Sequence, residues 1–152
     1  MRVDVQPGTW AESPALRRPR AVVADDDAAM RAVVAEVLRF DGYDVEEAEH
    51  GIELLFRVSR ALTATPGAVG IDVVVSDVHM PFCSGLDVLK KLRYARAKTP
   101  VVLMTGGGED EMSDHVRELG AVLLYKPFTF DELRFAVAEV RGIEPQRRRV
   151  RR

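Results

Sequence analysis

Four short apolar runs punctuate the chain, and each leads into a residue that can do chemistry. Ala21 to Ala24 runs into Asp25-Asp26-Asp27, Ile71 to Ser76 into Asp77, Val101 to Met104 into Thr105, and Val122 to Tyr125 into Lys126-Pro127. Each run is rich in Val or Leu and is followed by a segment of helical period. That alternation is how buried parallel strands joined by crossover helices read. Tyr43 to Glu47 supplies a fifth strand, so the pattern predicts five βα units with right-handed crossovers.

The helices follow from periodicity and caps. Met30, Val33, Val34, Val37 and Leu38 form one face, opened by Asp27 as N-cap and closed by Gly42. Ile52, Leu55, Phe56 and Leu62 form the face of the second helix, and Leu86, Leu89 and Leu92, after Ser84, that of the third. The fourth carries Glu109 and Asp110 in its first turn, Met112, Val116 and Leu119 on its face, and Gly120 at its end. Thr129-Phe130-Asp131-Glu132 has capping-box spacing and opens a fifth helix with Leu133, Ala136, Val137 and Val140 before Gly142.

In a parallel sheet the carboxyl ends of all strands lie along one edge, and ligands bind there, where strand order reverses. Asp25, Asp26, Asp77, Thr105 and Lys126 are therefore expected to meet. Crowded carboxylates raise one another's pKa unless a cation intervenes. Hard oxygen donors with no His or Cys cluster beside them select Mg²⁺ over zinc. Taken singly the signals are bland: an acidic pair before a helix complements the helix dipole, and a lone Asp after a strand is a turn residue. Their joint placement at four strand ends is what points to a site.

Composition bounds the rest. The chain has 152 residues, 47% of them hydrophobic, which suits one soluble globular domain with a proper core. A single cysteine, Cys83, excludes an intramolecular disulfide framework and suits a reducing cytoplasm. No apolar run approaches the ~20 residues of a membrane helix, and the start lacks a signal-peptide stretch. Net charge is −2, yet Arg141 to Arg152 holds six arginines against Glu144, which leaves an acidic body and a basic tail. Residues 1–19, with three prolines, are expected to form a flexible extension, 20–142 the domain, and 143–152 a disordered basic tail. Thr63 to Gly70 reads as an insertion at the edge of the sheet away from the acids, and Gly106-Gly107-Gly108 as a mobile loop.

Four motifs in order, VVADDDAAMR at 22–31, VVVSDVHMPFCSG at 73–85, VVLMTGG at 101–107 and LLYKPF at 123–128, resemble the receiver domain of two-component response regulators. The resemblance spans roughly residues 20 to 142. It implies a flavodoxin-like, doubly wound α/β fold with strand order 2-1-3-4-5 and helices on both faces. It implies Mg²⁺, or Mn²⁺ in its place, held directly by Asp26 and Asp77, through water by Asp25, and by the backbone carbonyl of His79. Asp77 would be the phosphoacceptor, Lys126 a mobile charge for the phosphoryl oxygens, and Thr105 the hydroxyl that turns toward the new phosphoryl group and biases a surface of the fourth helix, fifth strand and fifth helix. The His79 imidazole is read as solvent-exposed.

The implied partners are a sensor histidine kinase or histidine phosphotransfer protein upstream and a protein target downstream, with a homodimer as an alternative use of the same face. Ten residues after Gly142 are too few for a DNA-reading domain, so sequence-specific DNA binding is not expected. The protein reads as a stand-alone switch that catalyses only its own phosphorylation and dephosphorylation, not as an enzyme acting on others. Receivers often carry Tyr or Phe three residues before the lysine, but here that residue is Leu123. Tyr125 is turned by strand alternation to the face opposite Leu124 and does not simply stand in for it. That departure supports a competing reading as a phosphorylation-independent interaction module on the same fold. A phosphohydrolase with an aspartyl intermediate is disfavoured, because that class commonly places an acid where His79 stands.

Overall fold

The computed structural model describes residues 17–63, 70–107 and 110–145. Residues 1–16, most of the insertion before the third strand, Gly108, Glu109 and the tail from 146 lie outside the described residues. The expectations for the terminal extensions, the insertion and the glycine run therefore largely fall there.

Five strands alternate with five helices: β1 Arg20–Ala24, α1 Ala28–Phe40, β2 Asp44–Ala48, α2 Gly51–Leu62, β3 Val73–Asp77, α3 Gly85–Tyr94, β4 Val101–Thr105, α4 Asp110–Glu118, β5 Val122–Tyr125 and α5 Phe130–Arg141. All strand pairs are parallel and their order is β2-β1-β3-β4-β5. This is the flavodoxin-like order, with its switch point between β1 and β3.

Two strand limits differ from expectation. β3 starts two residues later than Ile71 and includes Asp77, because its pairing with β4 continues through Asp77 opposite Met104. β2 runs one residue later than expected, since its ladder with β1 ends on Ala24 opposite Ala48. The first of these shifts makes Asp77 itself the last residue of the β3–β4 ladder.

The two faces of the sheet carry separate cores. Val34, Val37 and Leu38 of α1 and Leu133, Ala136 and Val137 of α5 pack with Val23, Val75 and Met104 on one face. Leu54 and Val58 of α2, Val88, Leu89 and Leu92 of α3, and Val116 of α4 pack with Val22, Val74 and Leu103 on the other. Val33 is exposed, so the buried stripe of α1 is narrower than its periodicity suggested. On α2 the expected face is corrected: Ile52, Phe56 and Leu62 are exposed and Leu55 is half-buried, while the sheet is met by Leu54 and Val58.

The local signals for helix ends hold. The Asp27 carboxylate accepts from the N–H groups of Ala29 and Met30. Ser84 with Asp87 and Thr129 with Glu132 form reciprocal capping boxes, and Gly142 closes α5 in the left-handed region. α2 starts differently: His50 caps it through Nδ1, accepting from the Glu53 N–H at 3.1 Å. Gly51 then lies against the loop after β3, where a Cβ would meet the Cys83 carbonyl oxygen at 1.7 Å. That close approach seats α2 on the loop leading away from Asp77.

Candidate functional site

β1 and β3 are neighbours, so Asp25, one residue past β1, and Asp77, the last residue of β3, arrive together at the switch point. Asp26 completes a cluster in which one carboxylate oxygen from each acid lies within 4.8 Å of the others. Asp25 is 0% exposed, Asp77 is 8% exposed, and Asp26 faces solvent. β5 brings Lys126 across from 101 residues away in the chain, its Nζ donating to Asp25 Oδ2 at 3.2 Å and lying 3.6 Å from Asp77 Oδ2.

The surrounding backbone ties these residues to the sheet. Asp25 N–H donates to Ala48 O, Val78 N–H to Met104 O, and Lys126 N–H to Thr105 O at 2.7 Å. Thr105 is fully buried, and its Oγ1 accepts from the Gly107 N–H at 3.4 Å. Gly85 N–H donates to Val78 O, folding the loop back, and a Cβ on Gly85 would meet the Asp77 carbonyl oxygen at 2.4 Å. That loop needs glycine at this place for close backbone approach. The Lys126–Pro127 peptide is cis.

Three contacts at the site carried no readable signal in the chain. Lys126 sits nearer Asp25 than Asp77. Arg31, one turn into α1, donates from Nη1 to the Asp25 carbonyl at 2.9 Å while ion-pairing with Glu47 and Glu49. His50 is the α2 cap. His79 is exposed, as expected of its imidazole. Leu123 is half-buried against the core and lines, with Tyr125, Val116 and Ala121, a cavity of about 330 Å³ between α4 and β5. Tyr125 thus shares the face of Leu123, opposite buried Leu124, but is 45% exposed.

The electrostatics favour a cation. Burial raises the Asp25 carboxyl above its ordinary value, and the Asp77 charge adds to that, against the Asp27 N–H and Lys126, which lower it. The donor set is all carboxylate oxygen, which fits Mg²⁺. A raised native pKa means the folded state holds its proton more tightly than the unfolded state. Stability of the metal-free protein therefore falls as pH rises from the ordinary carboxylate value through the raised one. Asp25→Asn removes that penalty. In EDTA its Tm is expected to exceed that of the wild type by a few degrees at neutral pH, with the gap closing in acid; a gap that does not close would refute burial as its cause.

A family model for the response regulator receiver domain matches residues 21–138. Transcriptional regulatory protein FixJ of Bradyrhizobium diazoefficiens is 35% identical over 125 residues, covering 81% of this chain and 57% of that protein. Sporulation initiation phosphotransferase F of Bacillus subtilis is 30% identical over 119 residues, covering 78% of this chain and 90% of that protein. Response regulator protein TrrA of Thermotoga maritima, solved in complex with Mg²⁺-BeF, superposes with a TM-score of 0.67 at 27% identity, over 80% of this chain and 98% of that one. The chain spans about half the length of several curated relatives it matches. Among the described residues no helix is long and apolar enough to cross a membrane.

Proposed function

The chain belongs to the response regulator receiver domain family of two-component systems, and from that premise we propose that it is a phosphorylatable signalling switch with Asp77 as phosphoacceptor. The observation that carries this reading is the convergence of Asp25, Asp26 and Asp77 with the Lys126 ammonium at the switch point of the sheet. The donor would be the phosphohistidine of a sensor kinase or of a phosphotransfer protein, met in the cytoplasm. The match over 90% of Sporulation initiation phosphotransferase F is in keeping with a receiver that acts alone, and its output would be protein binding.

Asp26 and Asp77 would hold Mg²⁺ directly, Asp25 through water, with the His79 carbonyl as a further ligand. When bound, the cation supplies positive charge that screens the acids and the incoming phosphoryl oxygens. An Asp77 carboxylate oxygen attacks phosphorus in line. The P–O bond forms as the P–N bond of the phosphohistidine breaks, and the electron pair of that bond returns to the departing imidazole. Lys126, already 3.6 Å from Asp77, balances charge on the phosphoryl oxygens. Thr105, one strand over, exchanges its weak contact with Gly107 for the new oxygen, drawing the start of α4 and its loop with it. The surface of α4, β5 and α5 then reports the state.

The competing reading, a module that works without phosphorylation, is favoured by one observation: a half-buried leucine at position 123, where an aromatic would report the movement. Intact mass separates the two. Wild type incubated with Mg²⁺ and acetyl phosphate is expected to gain one phosphoryl group, and none in EDTA. No gain in folded protein whose Tm rises with Mg²⁺ would favour the phosphorylation-independent module.

A further inference from the structure

Phe82 combines two unfavourable features at one position. Its φ is +71°, a left-handed conformation that is an outlier for a bulky residue, and its side chain is 85% exposed. The loop around it is held at both ends. Met80 packs on the core, Cys83 N–H donates to Pro81 O, Gly85 N–H donates to Val78 O, and the Cys83 carbonyl rests on Gly51. The backbone of the loop is therefore tied down, and the residue left in the left-handed turn carries an aromatic ring pointing outward. Glycine would relieve the backbone there and a polar residue the exposure. A residue that does neither suggests a role outside the folded chain.

The position of that ring says what would cover it. Phe82 is five residues past Asp77, and its ring meets that of His50 edge-on, centroids 5.7 Å apart. His50 follows β2, Asp25 follows β1 and Asp77 ends β3, three adjacent strands, so Phe82 stands on the same edge as the acid cluster. Asp77 is 8% exposed and recessed behind that edge. A protein bringing a phosphohistidine within bonding distance of it approaches over this edge, where the loop that carries Phe82 also lies. A small acyl phosphate need not.

We propose that Phe82 is the apolar anchor by which a phosphohistidine-bearing donor protein docks on the carboxyl edge of the sheet. The inference rests on Asp77 being the phosphoacceptor. Aromatic side chains on the rim of a small polar site are the kind of group that carries interface energy when a partner covers them. The role assigned to Phe82 is docking and not chemistry.

Phe82→Gly and Phe82→Tyr would be compared with wild type in three assays. The glycine variant is expected to raise Tm by about 3 °C, because the left-handed backbone is relaxed. With acetyl phosphate and Mg²⁺ its rate of phosphoryl uptake should stay within about twofold of wild type. With an autophosphorylated sensor kinase, chosen for the fastest transfer to wild type, transfer should slow at least about tenfold through KM, and the tyrosine variant should restore it. A lower Tm in the glycine variant would make Phe82 a packing residue against His50, and unchanged transfer from the kinase would overturn the proposal. Equal losses with both donors would place the effect in loop geometry. A concentration-dependent wild-type dimer abolished by the substitution would give the ring to a second copy of the chain. Absence of uptake from acetyl phosphate by wild type would instead strike the phosphoacceptor reading itself.

Discussion

Asp77→Asn is expected to take up no phosphoryl group from acetyl phosphate, a loss of at least about a thousandfold in rate, while its metal-free form becomes more stable than wild type. The two effects share one cause. Asn has nearly the volume of Asp, so β3 keeps its pairing through position 77 opposite Met104. An amide lacks the anionic oxygen that the proposed attack on phosphorus requires. The substitution also removes one of the charges that push the buried Asp25 carboxyl upward. The repulsion that Lys126 alone offsets in the metal-free protein is then smaller. Intact mass after incubation with donor and Mg²⁺ reads the first effect, and thermal unfolding in EDTA reads the second. Uptake that persists at the wild-type rate would move the acceptor to another oxygen nucleophile, with solvent-facing Asp26 the first to test. A lower Tm in EDTA would mean that the Asp77 charge is needed to hold Lys126 and not merely crowded by Asp25.

Much of this site was legible because the chain writes it four times: an apolar run, then a chemically capable residue. In a parallel sheet the ends of such runs must share an edge, so the pattern alone places Asp25, Asp77, Thr105 and Lys126 along it. The face of α2 was not legible for an equally physical reason. Ile52-Glu53-Leu54-Leu55-Phe56-Arg57-Val58 is apolar nearly all round, and the pairs 52 with 56 and 54 with 58 have identical spacing. Which pair faces the sheet is decided by tertiary contacts: Gly51 against the Cys83 carbonyl, and Arg57 drawn to Glu46 of β2 as well as Glu53. Side-chain partners across the strand ends were illegible for the same reason. That Lys126 lies nearer Asp25 than Asp77, and that Arg31 reaches the Asp25 carbonyl, depend on side-chain paths across strand ends. The left-handed backbone at Phe82 had no residue-type signal at all, since it is the opposite of what glycine preference would suggest.

Gly51→Ala is expected to be the most destabilising single-methyl change at this edge, costing about 3 kcal/mol and lowering Tm by about 10 °C. The added Cβ would meet the Cys83 carbonyl oxygen at 1.7 Å, its carbon at 2.6 Å and its Cβ at 2.8 Å. Two of those three atoms are backbone, so no rotamer change can clear them. Either α2 moves off the sheet or the loop after β3 gives way. Moving α2 loosens Leu54 and Val58 from the core they share with Val22 and Val74. Moving the loop strains the Gly85 N–H bond to Val78 O and disturbs the backbone beside Asp77. Gly106→Ala is the matched control, since a Cβ there has nothing within 4 Å; its stability should stay within about 0.5 kcal/mol of wild type. Denaturant titration gives the cost, and acetyl phosphate uptake in whatever fraction of Gly51→Ala remains folded locates the yielding part. Uptake near the wild-type rate would mean that α2 moves and the loop keeps its shape; a parallel fall in uptake would mean that the loop yields, and that the seat provided by Gly51 also positions Asp77.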